Sequence, residues 1–214
     1  MAEKGGFGIP KARIESLSDL IFGLALSIGA FSLISSNSNS PGQILPNILA
    51  FGFSFLILMT IWIRYTRLTT VLPIETAGTV YLNVVMLFCV AVEPYLFNLL
   101  FSPSAASNGA NLTTTYYALD LATLFVCLGY LTHLLVGEEK HLVQPGRLRA
   151  FKVTRDIELV SACIFLISIL PVFWSFQIAG VPIRLYLWAF NLLAARLARI
   201  LGSRRKLPPQ AAMK

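Results

Sequence analysis

An all-α, polytopic membrane protein with six transmembrane helices is the fold class this sequence predicts, on three observations. The 214 residues are 56% hydrophobic and only 13% charged, with a mean hydropathy of +0.72, whereas soluble domains carry about a quarter charged residues. Six apolar runs, roughly 15–36, 44–63, 79–101, 115–136, 157–178 and 182–201, approach the length of about 20 residues that a helix needs to cross about 30 Å of hydrocarbon. Between them lie turn-forming stretches such as SSNSNSPGQ (35–43), SPSAASNGANLTT (102–114) and GEEKHLVQPGRLRAFK (137–152). Alternating strands of an outer-membrane barrel are not found. The expected division is a cytoplasmic N-terminus (1–14), a six-span membrane domain (15–201) and a basic cytoplasmic tail (202–214). The N-terminal MAEKGGFGIPK has no short apolar core before a small-residue cleavage site, so no cleaved signal peptide is expected.

Orientation follows from the basic residues, since Lys and Arg near span ends stay cytoplasmic. With an even number of spans, sixteen of the seventeen fall on one side, in the N-terminus, the second loop (Arg64, Arg67), the fourth loop (Arg147, Arg149, Lys152, Arg155 among them) and the tail. Arg184 alone falls opposite. Both termini are therefore expected in the cytoplasm of a multi-pass cell-membrane protein. The net charge of +7 is accounted for by topology and anionic lipid heads, with no nucleic acid needed.

Span one, RIESLSDLIFGLALSIGAFSLI (13–34), joins a polar inner end to an apolar body interrupted by Ser27. At 100° per residue Leu24, Ser27 and Phe31 share one stripe, while Asp19 lies about 140° round from Leu24. The stripe can pack with Ser27 bonding its own helix carbonyls, or it can line a pore. Span two ends in Trp62-Ile63-Arg64-Tyr65, and span three opens with Leu82-Asn83 and carries Glu93-Pro94. Span four holds Asp120, which by helix rise matches Glu93 in depth. The pair could face a wet outer cation vestibule, share a proton, or satisfy each other between spans. Cys89, Cys127 and Cys163 lie in apolar runs as packing residues, and neither a disulfide nor a metal site is expected. No phosphate loop, HExxH or GxSxG supports catalysis, and no enzyme activity or cofactor is expected beyond a permeant ion.

Arg13-Ile14-Glu15-Ser16-Leu17-Ser18-Asp19 resembles the Arg-x-x-x-Phe-Ser-Asp signature that opens span one of the transmembrane protein 175 potassium channels. Leu17 stands where that family has Phe. Trp62, Asn83 and Pro94 fall where family members carry the same residues, but Ile63-Arg64-Tyr65 replaces a common histidine pair. The resemblance implies a homotetramer of six-span subunits around an axial pore lined by span one, a potassium-channel fold with no Thr-Val-Gly-Tyr-Gly filter. By position after Ser18-Asp19, it makes Leu24 the main constriction, Ser27 a hydroxyl layer and Phe31 an outer constriction. Ile or Leu is usual at the first of these places and Leu at the last. Arg13, Ser18, Asp19, Trp62 and Asn83 are expected to form an interspan network at the inner end. The expected function is a cation channel modestly selective for potassium. The alternative is a proton-coupled secondary transporter that uses Glu93 and Asp120 as carriers.

Overall fold

The computed structural model describes residues 10–35, 41–72, 76–100, 110–137, 140–178 and 181–204. Its helices are α1 (Lys11–Ser35), α2 (Pro41–Thr69), α3 (Ala77–Leu100), α4 (Ala110–Gly137), α5 (Pro145–Ile167), a single-turn α6 (Val172–Ser175) and α7 (Ile183–Arg204). Among the described residues, four helices, α1 to α4, are long and apolar enough to cross a membrane. The chain is thus a helical, multi-pass membrane protein.

The helices form because their apolar runs must satisfy backbone polar groups internally once water is absent. α4 is the hub. It packs against α5, α3 and α2, and its Tyr117, Leu121, Leu124, Phe125, Leu128 and Leu131 are buried. Rings from neighbouring helices meet it in sequence. Phe97 of α3 contacts Tyr117 (centroids 5.9 Å), Tyr117 contacts Trp188 of α7 (5.6 Å), Trp188 contacts Phe165 of α5 (5.8 Å), and Phe165 stacks on Phe125 (5.7 Å). Gly129 permits the close approach of α4 and α5, since a Cβ there would stand 2.9 Å from Leu159 Cδ2. By contrast α1 lies at the edge of the subunit, packed on α3 and α2.

The fifth apolar run departs from expectation. Rather than 157–178, the helix covers 145–167, with Pro145 in its first turn where a missing N–H costs nothing. Its first half carries Arg147, Arg149, Lys152, Arg155, Asp156 and Glu158, so residues read as loop are helical. It stops at Ile167 because Pro171 cannot donate to the Ile167 carbonyl as an i to i−4 partner. Ser168 takes over, its hydroxyl donating to Phe165 O at 2.6 Å and accepting Trp188 Nε1–H at 2.8 Å. Beyond α6, β1 (Gln177–Ile178) and β2 (Val181–Pro182) pair antiparallel and lead into α7. A small strand pair thus stands where the all-helical reading had none. The Asn111-Leu112-Thr113 triplet, read as loop, lies in the first turn of α4. Residues 1–9, 36–40, 101–109 and 205–214, which hold most of two expected turns and the ends of the chain, lie outside the described residues.

Candidate pore face and its polar anchors

α1 has two faces of different character. Ile14, Ser18, Phe22, Ala25 and Gly29 are buried against the bundle. At Gly29 an added Cβ would stand 3.3 Å from the Phe51 ring and 3.8 Å from Pro94, so glycine lets α1 lie close to α2 and α3. On the opposite side Leu17, Leu20, Leu24, Ile28 and Phe31 form a continuous exposed apolar strip, Leu24 at 57% and Phe31 at 66% exposure. Ser27 lies on this strip, its hydroxyl donating to Gly23 O at 2.8 Å. The proton is thus turned into the helix, and the oxygen's remaining lone-pair capacity stays on the exposed side.

The polar N-terminal end of α1 anchors the other face. Ser18 is fully buried. Its hydroxyl donates to Ile14 O at 2.8 Å and lies 2.8 Å from Tyr65 Oη. Because Ser18 has one proton and the Ile14 carbonyl takes it, the Tyr65 phenol donates to Ser18. Asn83 of α3 lies beside the same phenol, so polar groups of α1, α2 and α3 meet at Tyr65. Beside it Trp62 Nε1 donates to Asp19 Oδ1 at 2.8 Å, in an exposed position. Ser18, Asp19, Trp62 and Asn83 are thus brought together. Arg13 is exposed at the start of α1, and among the described residues no side-chain bond ties it to this cluster. Tyr65 is the member that sequence reasoning missed. The available signal was its position three residues, and so one turn, after Trp62.

Glu93 does not open on a vestibule. It is completely buried where α2, α3 and α4 meet, with Ser54 Oγ 3.2 and 3.0 Å from its two carboxyl oxygens and Tyr117 Oη donating to Oε1 at 3.2 Å. Asp120 is 8% exposed and lies near Glu93 and Cys89. Helix rotation turns both acids inward, and hydroxyl donors surround Glu93. Ser54 and Tyr117 carried no sequence signal for this role beyond being polar residues in apolar runs. Arg184, the basic residue expected outside, is also buried and donates from Nη2 to Asn111 Oδ1 at 3.2 Å.

With that geometry in place, the comparison with known families is specific to the first three helices. Residues 13–94 match the family model for the endosomal/lysosomal potassium channel TMEM175. That stretch is similar to the TMEM175 family. It contains the whole exposed strip of α1, both polar anchors of α1, and Glu93. The family that this segment resembles is one of ion channels rather than a class of enzymes. No match was found among curated proteins or among solved structures. Within the TMEM175 segment, Tyr65 occupies the inner-end position described above, bonded to Ser18 and in ring contact with Phe22 at 6.0 Å.

Proposed function

We propose that the protein is a potassium-selective cation channel of modest selectivity, assembled as a homotetramer of six-span subunits in the cell membrane with both termini cytoplasmic. The observation that carries this reading is the exposed apolar strip of α1, set within the segment that matches the TMEM175 family. One copy of α1 cannot enclose a pore, and four copies around an axis can. Leu24 then forms the narrowest ring, Ser27 a hydroxyl layer and Phe31 an outer constriction. An apolar ring expels water, and potassium sheds water at lower cost than sodium. Four Ser27 oxygens, their protons engaged within each helix, offer acceptors to a partly dehydrated cation. Their field is weaker than stacked carbonyl rings, hence the modest preference.

In this reading α5 and α7 are spans five and six. The charged first half of α5 lies at the cytoplasmic interface and its apolar second half enters the bilayer, while Ile183–Ala195 provides the apolar body of α7. The carrier alternative requires Glu93 and Asp120 to meet water in turn. Their burial among Ser54, Tyr117 and Cys89 favours a fixed structural cluster instead.

The test is purified protein reconstituted in vesicles and planar bilayers, with potassium, sodium and proton flux compared and the particle mass measured by light scattering. Expected are unitary current steps, potassium flux above sodium flux, and a mass near four chains. A monomer, or slow saturable exchange without unitary steps, overturns the channel reading.

A further inference from the structure

At the end of the bundle that carries the basic residues, α2, α4 and α5 enclose a cavity of about 320 Å³. Arg64, Arg67 and Arg147 stand around it, with Leu128 and Phe151 among its apolar walls. Its one acidic lining residue among those described is Glu158, 1% exposed and accepting from Thr132 Oγ1 at 3.2 Å. A larger hollow of about 540 Å³ lies between α2 and α7, floored by Phe125 of α4 and walled by Phe53, Leu56, Leu192 and Leu193. Arg64 and Arg67 line both hollows, so a basic chamber adjoins an apolar trough along these two side chains.

Dimensions and charge suit one kind of occupant. From Phe53 to Arg64 the trough follows α2 for about 16 Å at 1.5 Å per residue, close to half of a hydrocarbon core about 30 Å thick. Away from Arg64 and Arg67 its one hydroxyl among the described residues, that of Thr60, is turned into its own helix, donating to Leu56 O at 2.7 Å. Three guanidiniums against one buried carboxylate leave the chamber positive, and the planar guanidinium fork matches phosphate oxygens in pairs.

We infer that this joined groove is a binding site for an anionic phospholipid, its phosphate held by Arg67 and Arg147 with Arg64 at the junction, and one acyl chain lying in the trough between α2 and α7. A free phosphate would leave the trough unused. A zwitterionic choline head would bring its own cation against the arginines. The inference stands independently of whether the protein conducts ions.

Native mass spectrometry of the full chain in mild detergent, titrated with phosphatidylglycerol, phosphatidylcholine of the same chains, or glycerol phosphate, tests it. Phosphatidylglycerol should be retained in preference to both others. Arg67→Gln and Arg147→Gln, at exposed positions, should each weaken its binding about fivefold without lowering the melting temperature. Leu193→Trp should fill the trough and displace phosphatidylglycerol while leaving the particle mass unchanged. Equal retention of phosphatidylcholine, wild-type affinity in the double arginine variant, or equal binding of glycerol phosphate would each overturn the proposal. So would a Leu193→Trp variant that changes particle mass and not lipid binding, because a neighbouring subunit would then occupy the groove.

Discussion

Two polar clusters join the first four helices, and they differ in which helix they hold and how far water reaches them. The cluster at Glu93 unites α2, α3 and α4 around a carboxyl with no exposed surface. The cluster at the N-terminal end of α1 joins the buried bond between Tyr65 and Ser18, with Asn83 beside it, to an exposed bond from Trp62 to Asp19. The first seals the frame; the second attaches a peripheral helix to it. A helix that carries an exposed apolar strip is thus fixed by a few bonds at one end and by close packing at Gly29. The contrast teaches that similar polar side chains inside apolar spans can serve different purposes, set by whether the site is closed on all sides.

The sharpest way to break this contrast is to remove the sealed carboxyl. Glu93→Ala leaves the Ser54 and Tyr117 hydroxyls without their acceptor, at about 1–3 kcal/mol each, and should give the largest fall in thermal stability. Glu93→Gln keeps an acceptor oxygen and similar volume and should recover much of the loss. A Glu93→Ala protein that melts like wild type by fluorescence-detected size exclusion would show the cluster to be idle.

Tyr65→Phe should have an intermediate effect. It keeps the ring against Phe22 but removes the hydroxyl that bonds Ser18, a loss of about 1–2 kcal/mol, read as a lowered melting temperature. Smaller again is Asp19→Ala, because its bond to Trp62 is exposed and water can replace it; about 0.5–1.5 kcal/mol is expected. Trp62→Phe should cost a similar amount, and the double variant should cost less than the sum, since both remove one hydrogen bond. Strict additivity would separate the two residues energetically.

The smallest effect on stability, with the largest on permeation, is expected on the strip. Leu24→Asn changes an exposed side chain, so the fold should be retained, while wetting of the narrowest ring raises conductance and lowers potassium preference. Ser27→Ala should lower selectivity with little gain in conductance. Ala25, one step round the helix, makes a poor control because it is buried at 1% exposure and any larger residue would disturb packing. Phe190→Leu, at an exposed position on α7, is a suitable one. Unchanged current and selectivity in Leu24→Asn, beside altered permeation in Phe190→Leu, would move the pore away from α1.

The membrane solvent, the four long apolar helices and the two-faced character of α1 could all be read from the sequence. Composition, run length and the 100° step are local properties, and nothing distant can reverse them. The polar partners at the inner end were legible because a charged or amide group inside an apolar span must find one. The end of α5 was not, although Pro171 was in plain view: the apolar run continues past it, and run length outweighed the missing N–H. The inward rotation of Glu93 and Asp120, the place of Tyr65 between Ser18 and Asn83, and the meeting of Arg184 with Asn111 were settled only by tertiary structure. Hydropathy cannot distinguish a side chain facing lipid from one facing protein, because both surroundings are equally apolar. Leu24 and Ala25 illustrate this: adjacent apolar residues, one more than half exposed and the other buried. What the sequence determined by itself was that α1 to α4 are long and apolar enough to cross a membrane and which residues share a helical face. Which face meets the bundle, and which polar groups meet across it, depended on the rotation and register of packed helices, which close contact alone selects.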